Sequence, residues 1–215
     1  MARTKAADYD ARRAAIVERA AELYAQRGFQ GASLADLAKA CRTSKSLIYH
    51  YYSSKEDILY DVMHSHVGAL LAVAEEISLM PGSPKQKLHA LTGAFMRLYA
   101  GAATRQKVLL NELSRLPKKR RTAIVAIQRR LIDIVQNILC AMRPNLAPSL
   151  GRPATMLYFG MINWTHTWMD PSGPEGPEQI AELAVKIYLN GFVEPKMRPK
   201  LWPPPPDPIR SRPDP

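Results

Sequence analysis

Hydroxyls, an amine and an imidazole are packed into one short run in the segment TSKSLIYHYYSSKEDIL, residues 43–59. Lys45, Ser46, Tyr49 and His50 bring hydrogen-bonding groups, and Leu47 brings an apolar tip. Together they suit the edges of base pairs, because hydroxyls and amines meet base acceptors and phosphates while an apolar side chain meets a thymine methyl. Helical spacing decides which of them share a face. With Ile48 and Tyr52 turned to a core, Lys45, Ser46, Leu47, Tyr49 and His50 point largely outward. Lys55 opens the next helix, where free backbone N–H groups and the helix dipole already favour a phosphate. An ordinary surface with tyrosines packed on a neighbour competes with this view on composition alone.

Elsewhere the chemistry is sparse. His166 stands three residues after Asn163 and close to Asp170, on a helix face rich in aromatics, where a histidine is more often structural than a general base. No GxSxG, no phosphate-binding glycine loop and no metal-ligand cluster is present in the sequence, so the chain does not read as an enzyme and no cofactor is expected. Cys41 and Cys140 lack the spacing of a metal site and read as free thiols.

The 215 residues are 47% hydrophobic and 23% charged, the balance of a globular protein with its own core. No run approaches the roughly 20 apolar residues of a membrane span, and the N-terminus has no apolar signal segment, so a cytoplasmic location without a membrane partner is expected. The formal charge of +11 suits a nucleic-acid partner. Its basic residues are spread along the chain, so charge alone does not place a DNA site.

The elements that must hold these residues are all helical. Apolar residues recur at three and four spacing almost throughout, and strand signals are nearly absent. Ile16, Ala20, Leu23 and Tyr24 form one face of a first helix that stops at Gly28, with Phe29 as a hydrophobic plug. Ser33 with Asp36 begins a second helix, Thr43 or Ser44 caps a third through Tyr51, and Ser54 with Asp57 caps a fourth. Two short helices joined by a tight turn make a helix-turn-helix. Further helices are expected at about 55–77, 85–104, 106–115, 118–142, 153–168 and 178–193, with NLAPSLGRP and DPSGPEGP as breaks. Residues 195–215 are proline-rich and read as an extended, disordered tail.

The segment GFQGASLADLAKACRTSKSLIYHYYSSKEDIL resembles the DNA-binding domain of TetR-family transcriptional repressors. The Gly-Phe, the Ser-Leu-x-Asp-Leu-Ala, the Tyr-His-Tyr and the Ser-Lys-Glu stand at that family's spacing. The resemblance implies that Ser33, Lys45, Ser46, Leu47, Tyr49, His50 and Lys55 face DNA, with Tyr51 a lesser member. The family often has glycine where this chain has Arg42 in the turn, and again where it has Ser46. Arg42 in an exposed turn is a candidate phosphate contact. The basic arm with Arg3 and Lys5 is expected to fray, with a neighbouring minor groove as its other possible location.

The same resemblance implies a DNA-binding domain over 1–54 and a ligand-binding and dimerisation domain over 55–194. Such regulators pair through their last two long helices, here about 153–168 and 178–193, and bind double-stranded operators as homodimers. A lone helix-turn-helix makes few contacts, so half-sites about 34 to 36 Å apart are expected. Phe95, Met96, Tyr99, Leu110, Met161, Trp164 and Trp168 are candidates for the lining of an effector cavity, although core is the commoner fate of such side chains. Lys118, Lys119, Arg120 and Arg121 follow Pro117 in the first turn of a helix, where the dipole disfavours cations. Counter-ions, Glu112, DNA phosphate or a phosphorylated ligand would each relieve them. GMINWTHTWMDPSGP resembles the C-terminal domain of a TetR subgroup that senses acyl-coenzyme A thioesters, which would use Lys118 and Arg121 for the coenzyme's phosphates. The expected function is a ligand-released repressor; a sequence-nonspecific DNA-coating protein, or a repressor of a non-coenzyme hydrophobic ligand, is the alternative.

Overall fold

Apolar stripes at helical spacing become helices throughout the described residues. The computed structural model describes residues 2–170 and 173–192, and among these there are nine α-helices, two 3-10 turns and no strand. The proline-rich segment lies outside the described residues. The N-terminal helices are α1 (Ala2–Gly31), α2 (Leu34–Ala40) and α3 (Lys45–Tyr51). They are followed by α4 (Lys55–Leu79), α5 (Pro84–Gly101), α6 (Ala103–Glu112), α7 (Lys118–Met142), α8 (Pro148–Trp164) and α9 (Pro177–Phe192). No helix is long and apolar enough to cross a membrane among the described residues.

Serines set the starts of the short helices. Ser33 caps α2 in a full capping box with Asp36, Ser44 caps α3 through the Leu47 N–H at 3.1 Å, and Ser54 caps α4 through the Asp57 N–H at 3.1 Å. Each such cap contributes about 1 kcal/mol. Gly28 interrupts α1 with φ 71° and ψ 160°, backbone open only to glycine, and a Cβ there would lie 3.3 Å from the Glu112 carboxylate. Phe29, released into the interior by that kink, packs edge-on against Tyr24 and donates its N–H to Glu112.

Two apolar clusters form the core. The first joins Ile16, Ala20, Leu37, Ile48 and Tyr52 of the N-terminal helices to Ile58 and Val62 of α4, Val108 of α6 and Ile124 of α7. The second joins Leu91 and Phe95 of α5, Leu131 and Val135 of α7, Tyr158 and Ile162 of α8, and Val185 of α9. Helix α4 runs through both, and packs most extensively along α7. Polar ties fasten α4 to its neighbours: Asp61 accepts from Arg13 and from the Tyr52 hydroxyl, and Asp57 pairs with Arg120 of α7.

Two helix starts lie furthest from the sequence expectation. Helix α1 extends back to Ala2, because nothing between Ala2 and Arg27 breaks the helix, where fraying was expected from the basic arm. Helix α8 begins at Pro148, inside what reads as a break. Pro148 sits in the first turn, where a missing N–H costs nothing, and Pro153 forfeits one bond near the start of the helix. Gly151 is buried there, its α-carbon facing the Cys140 sulfur.

One face is left uncovered. Met156, Leu157 and Trp164 on α8, with Leu183 and Ile187 on α9, are half to nearly three-quarters exposed, and Gly160 is open among them.

Candidate nucleic-acid interface and effector cavity

Ile48 is fully buried and Tyr52 nearly so, which turns the opposite face of α3 to solvent. Lys45, Ser46, Tyr49 and His50 are exposed together, with the Lys45 ammonium 5.8 Å from the Tyr49 ring centre, and Leu47 is half-buried beside them. Ser33 is exposed at the start of α2, with its hydroxyl in the capping box. Tyr51 is held from the other side by Tyr9 of α1, ring centres 4.7 Å apart. Tyr9 escaped the sequence reading because nothing in its local pattern points to α3.

An open cleft of about 660 Å³ lies beside this face, between α1 and the turn that joins α2 to α3. Arg12 and Arg19, two turns apart on α1, face Arg42 across an apolar floor of Ile16 and Leu47. Arg12 and Arg19 are engaged with Asp8 and Glu22, and Arg42 has no ion pair among the described residues. Arg42 has φ 51°, a left-handed conformation that costs a non-glycine residue about 1 kcal/mol. Arg42→Gly therefore removes the guanidinium without backbone strain. If Arg42 meets a phosphate, this variant binds DNA more weakly and lowers the slope of log affinity against log salt by about one. An unchanged slope in a salt titration would take Arg42 off the interface.

Lys55 is placed differently from the expectation. It is half-buried, its ammonium donates to the Phe29 carbonyl, and it lies 4.1 Å from the Phe29 ring centre. Burial lowers its pKa. The aliphatic stem covers apolar surface and the ammonium closes an otherwise open backbone carbonyl, so Lys55 ties the α1–α2 junction to the start of α4.

A second site lies in the body. A cavity of about 210 Å³ is bounded by Val67 and Leu70 of α4, Tyr99 of α5, Gln106, Leu109 and Leu110 of α6, Leu131 and Gln128 of α7, and Phe159 and Asn163 of α8. Its polar end is organised. The Asn163 side-chain oxygen accepts from the Tyr99 hydroxyl at 2.8 Å and from the Gln106 amide at 3.3 Å, and the Gln106 oxygen meets His66 Nε2 at 2.7 Å. An amide oxygen only accepts, so His66 carries its proton on Nε2.

His66 is buried, and burial lowers its pKa, with the nearby Arg105 charge acting in the same direction against the Gln106 bond. Below the ordinary value of 6.5 the unfolded chain therefore binds a proton that the fold resists. Stability should fall as pH drops beneath that value, by up to about 1.4 kcal/mol per pH unit. Denaturant melts at pH 5.5 and 7 would show the slope, and His66→Gln should flatten it.

Of the residues expected to line an effector cavity, Tyr99 and Leu110 do so. Phe95 and Met96 are fully buried in the core, and Met161 packs against that core outside the lining. Trp164 and Trp168 are 65% and 57% exposed, Trp164 within the uncovered face of α8. Their helical spacing fits either location, and burial assigns them to the surface. Lys118 and Arg121 are exposed at the start of α7, which has no capping side chain and no acidic residue in its first turn. Arg120 is committed to Asp57 and lies over the Tyr60 ring. Gln106, Asn163 and His66 were missed, since their pairing spans 40 and 57 residues.

Residues 16–62 match the bacterial regulatory proteins of the tetR family, and residues 81–192, half of the chain, match the tetracyclin repressor-like C-terminal domain. The chain belongs to the TetR family of transcriptional regulators. A TetR-family regulator from Bordetella parapertussis has the same fold at a TM-score of 0.81 and 39% identity, over 84% of this chain and 95% of its own. The transcriptional repressor KstR2 of Mycolicibacterium smegmatis is 25% identical over 194 residues, 85% of this chain and 91% of KstR2. AibR, solved in complex with isovaleryl coenzyme A and operator DNA, is 26% identical at a TM-score of 0.72, over 82% of this chain and 97% of AibR. The chain joins an N-terminal helix-turn-helix, of which α3 is the second helix, to a helical C-terminal domain.

Proposed function

We propose that this TetR-type regulator is a homodimeric repressor that reads a partly palindromic operator and leaves it when an acyl-coenzyme A thioester binds. Residues 1–54 would read DNA, and residues 55–194 would hold the effector and the second copy. Helix α4 serves both ends. Lys55 pins its start to the DNA-reading helices, and Val67, about 18 Å further along, lines the cavity. A ligand acts only through its different affinity for two states, and a wall shared in this way makes the filling of the cavity a change in where α3 sits.

Three further observations support the reading. The apolar face of α8 and α9 is the kind of surface that a second copy covers, and a two-fold dimer calls for a palindromic site. Arg121 lies two turns before Gln128 on the same side of α7, about 10 Å from the cavity wall, with Lys118 one turn beyond, within reach of a phosphorylated carrier whose acyl end is buried. AibR offers a relative found with a thioester and an operator together.

The test is a duplex from beside the protein's own gene at near-physiological salt, with a panel of acyl-coenzyme A thioesters added to the complex. The proposal predicts competitor-resistant binding reversed by at least one thioester. Specific binding that no thioester disturbs would overturn the effector class and leave the repressor.

A further inference from the structure

The polar end of the cavity restricts what it can take. Asn163 spends its oxygen on Tyr99 and Gln106, so its amino group makes no hydrogen bond among the described residues, and neither does the Gln128 side chain. Both residues line the cavity, and their amino groups are the donors they have for a bound molecule. No carboxylate, lysine or arginine lines it, so a charged group would lose its hydration without gaining a counter-charge. The remaining wall is Val67, Leu70, Leu109, Leu131 and Phe159, together with their apolar neighbours. At about 210 Å³ the cavity is small.

We propose that the cavity takes a short, uncharged acyl group whose carbonyl oxygen accepts from the Asn163 amino group. We further infer that the chain Asn163–Gln106–His66 carries its arrival to α4. The inference rests on the thioester reading above and narrows it, because a thioester carbonyl is neutral where the free acid is ionised. Asn163 is the centre of the relay. A ligand that draws its amide inward weakens the bonds from Tyr99 and Gln106 on the other side. Gln106 then loses the partner that orients its oxygen toward His66, which is buried on α4 one residue before the cavity-lining Val67. His66 is neutral and donates, so the chain has a single direction: His66 to Gln106 to Asn163.

The test measures binding of butyryl-coenzyme A, palmitoyl-coenzyme A and free butyrate by calorimetry, alongside operator affinity. Wild type is expected to bind butyryl-coenzyme A at least tenfold more tightly than either of the others. Asn163→Asp keeps the shape and the acceptor for Tyr99 and removes the donor, so it should weaken butyryl-coenzyme A about tenfold or more. Asn163→Leu removes the acceptor for Tyr99 and Gln106 as well as the donor, so it should weaken butyryl-coenzyme A and, by freeing Gln106, lower operator affinity without any ligand. Gln106→Met breaks the relay with Asn163 in place, so the thioester concentration that releases the operator should rise relative to the concentration that half-fills the cavity. Tighter binding of palmitoyl-coenzyme A overturns the size limit and keeps the thioester class. Equal binding of butyrate, or unaltered binding by both Asn163 variants, overturns the carbonyl contact. Operator binding with no response to any thioester sinks the effector reading itself.

Discussion

Replacing Leu157 and Ile187 together by glutamate should convert the protein to a monomer and lower operator affinity by about a thousandfold or more. Leu157 and Ile187 are 72% and 58% exposed, so the single chain loses no core packing and its helicity should be unchanged. In a dimer about α8 and α9 the same positions from two copies approach each other, and like charges in a water-poor interface cost several kcal/mol. A monomer holds one half-site, and what remains approaches nonspecific binding, typically a thousandfold or more weaker than specific binding. Sedimentation gives the oligomeric state, and fluorescence anisotropy gives the affinity. A double variant that remains dimeric would move the interface off this face.

Phe95→Ala should be the most damaging single truncation in the effector domain. Phe95 is fully buried, with the Tyr99 and Phe159 rings each 6.3 Å from its own and stacked on it. Removing a buried phenyl group costs about 3 to 5 kcal/mol through lost transfer free energy and the hole left behind. For a chain of this size that is a fall in Tm of about 6 to 20 °C. The result also decides between two roles. A structural Phe95 lowers Tm and leaves effector affinity nearly unchanged in the fraction that remains folded. A Phe95 that meets the ligand would lose effector affinity with a small change in Tm.

The helix starts were legible because a cap is local chemistry: Ser33 with Asp36 and Ser54 with Asp57 lie within one turn of each other. The kink at Gly28 was legible for the same reason. The outward face of α3 followed from Ile48 and Tyr52, whose spacing leaves only one side for Lys45, Tyr49 and His50. The contacts of Lys55 with Phe29 were not legible, because a lysine at a helix start has the same local pattern whether its stem lies on a ring or reaches into solvent. Trp164 and Phe95 share a periodicity and differ in what stands opposite them, which no local pattern carries. The Asn163–Gln106–His66 chain was illegible altogether, since three polar residues on three helices become a network only after those helices pack.

If α3 reads one DNA sequence, an anisotropy titration of a duplex from beside the protein's own gene against a scrambled duplex, with Tyr49→Ala in parallel, will show it. The expected result is a preference of about a thousandfold or more for the native sequence, lost in Tyr49→Ala while helicity is kept. Equal affinity for both duplexes, falling steeply with salt, would contradict it and leave a protein that coats DNA without reading it.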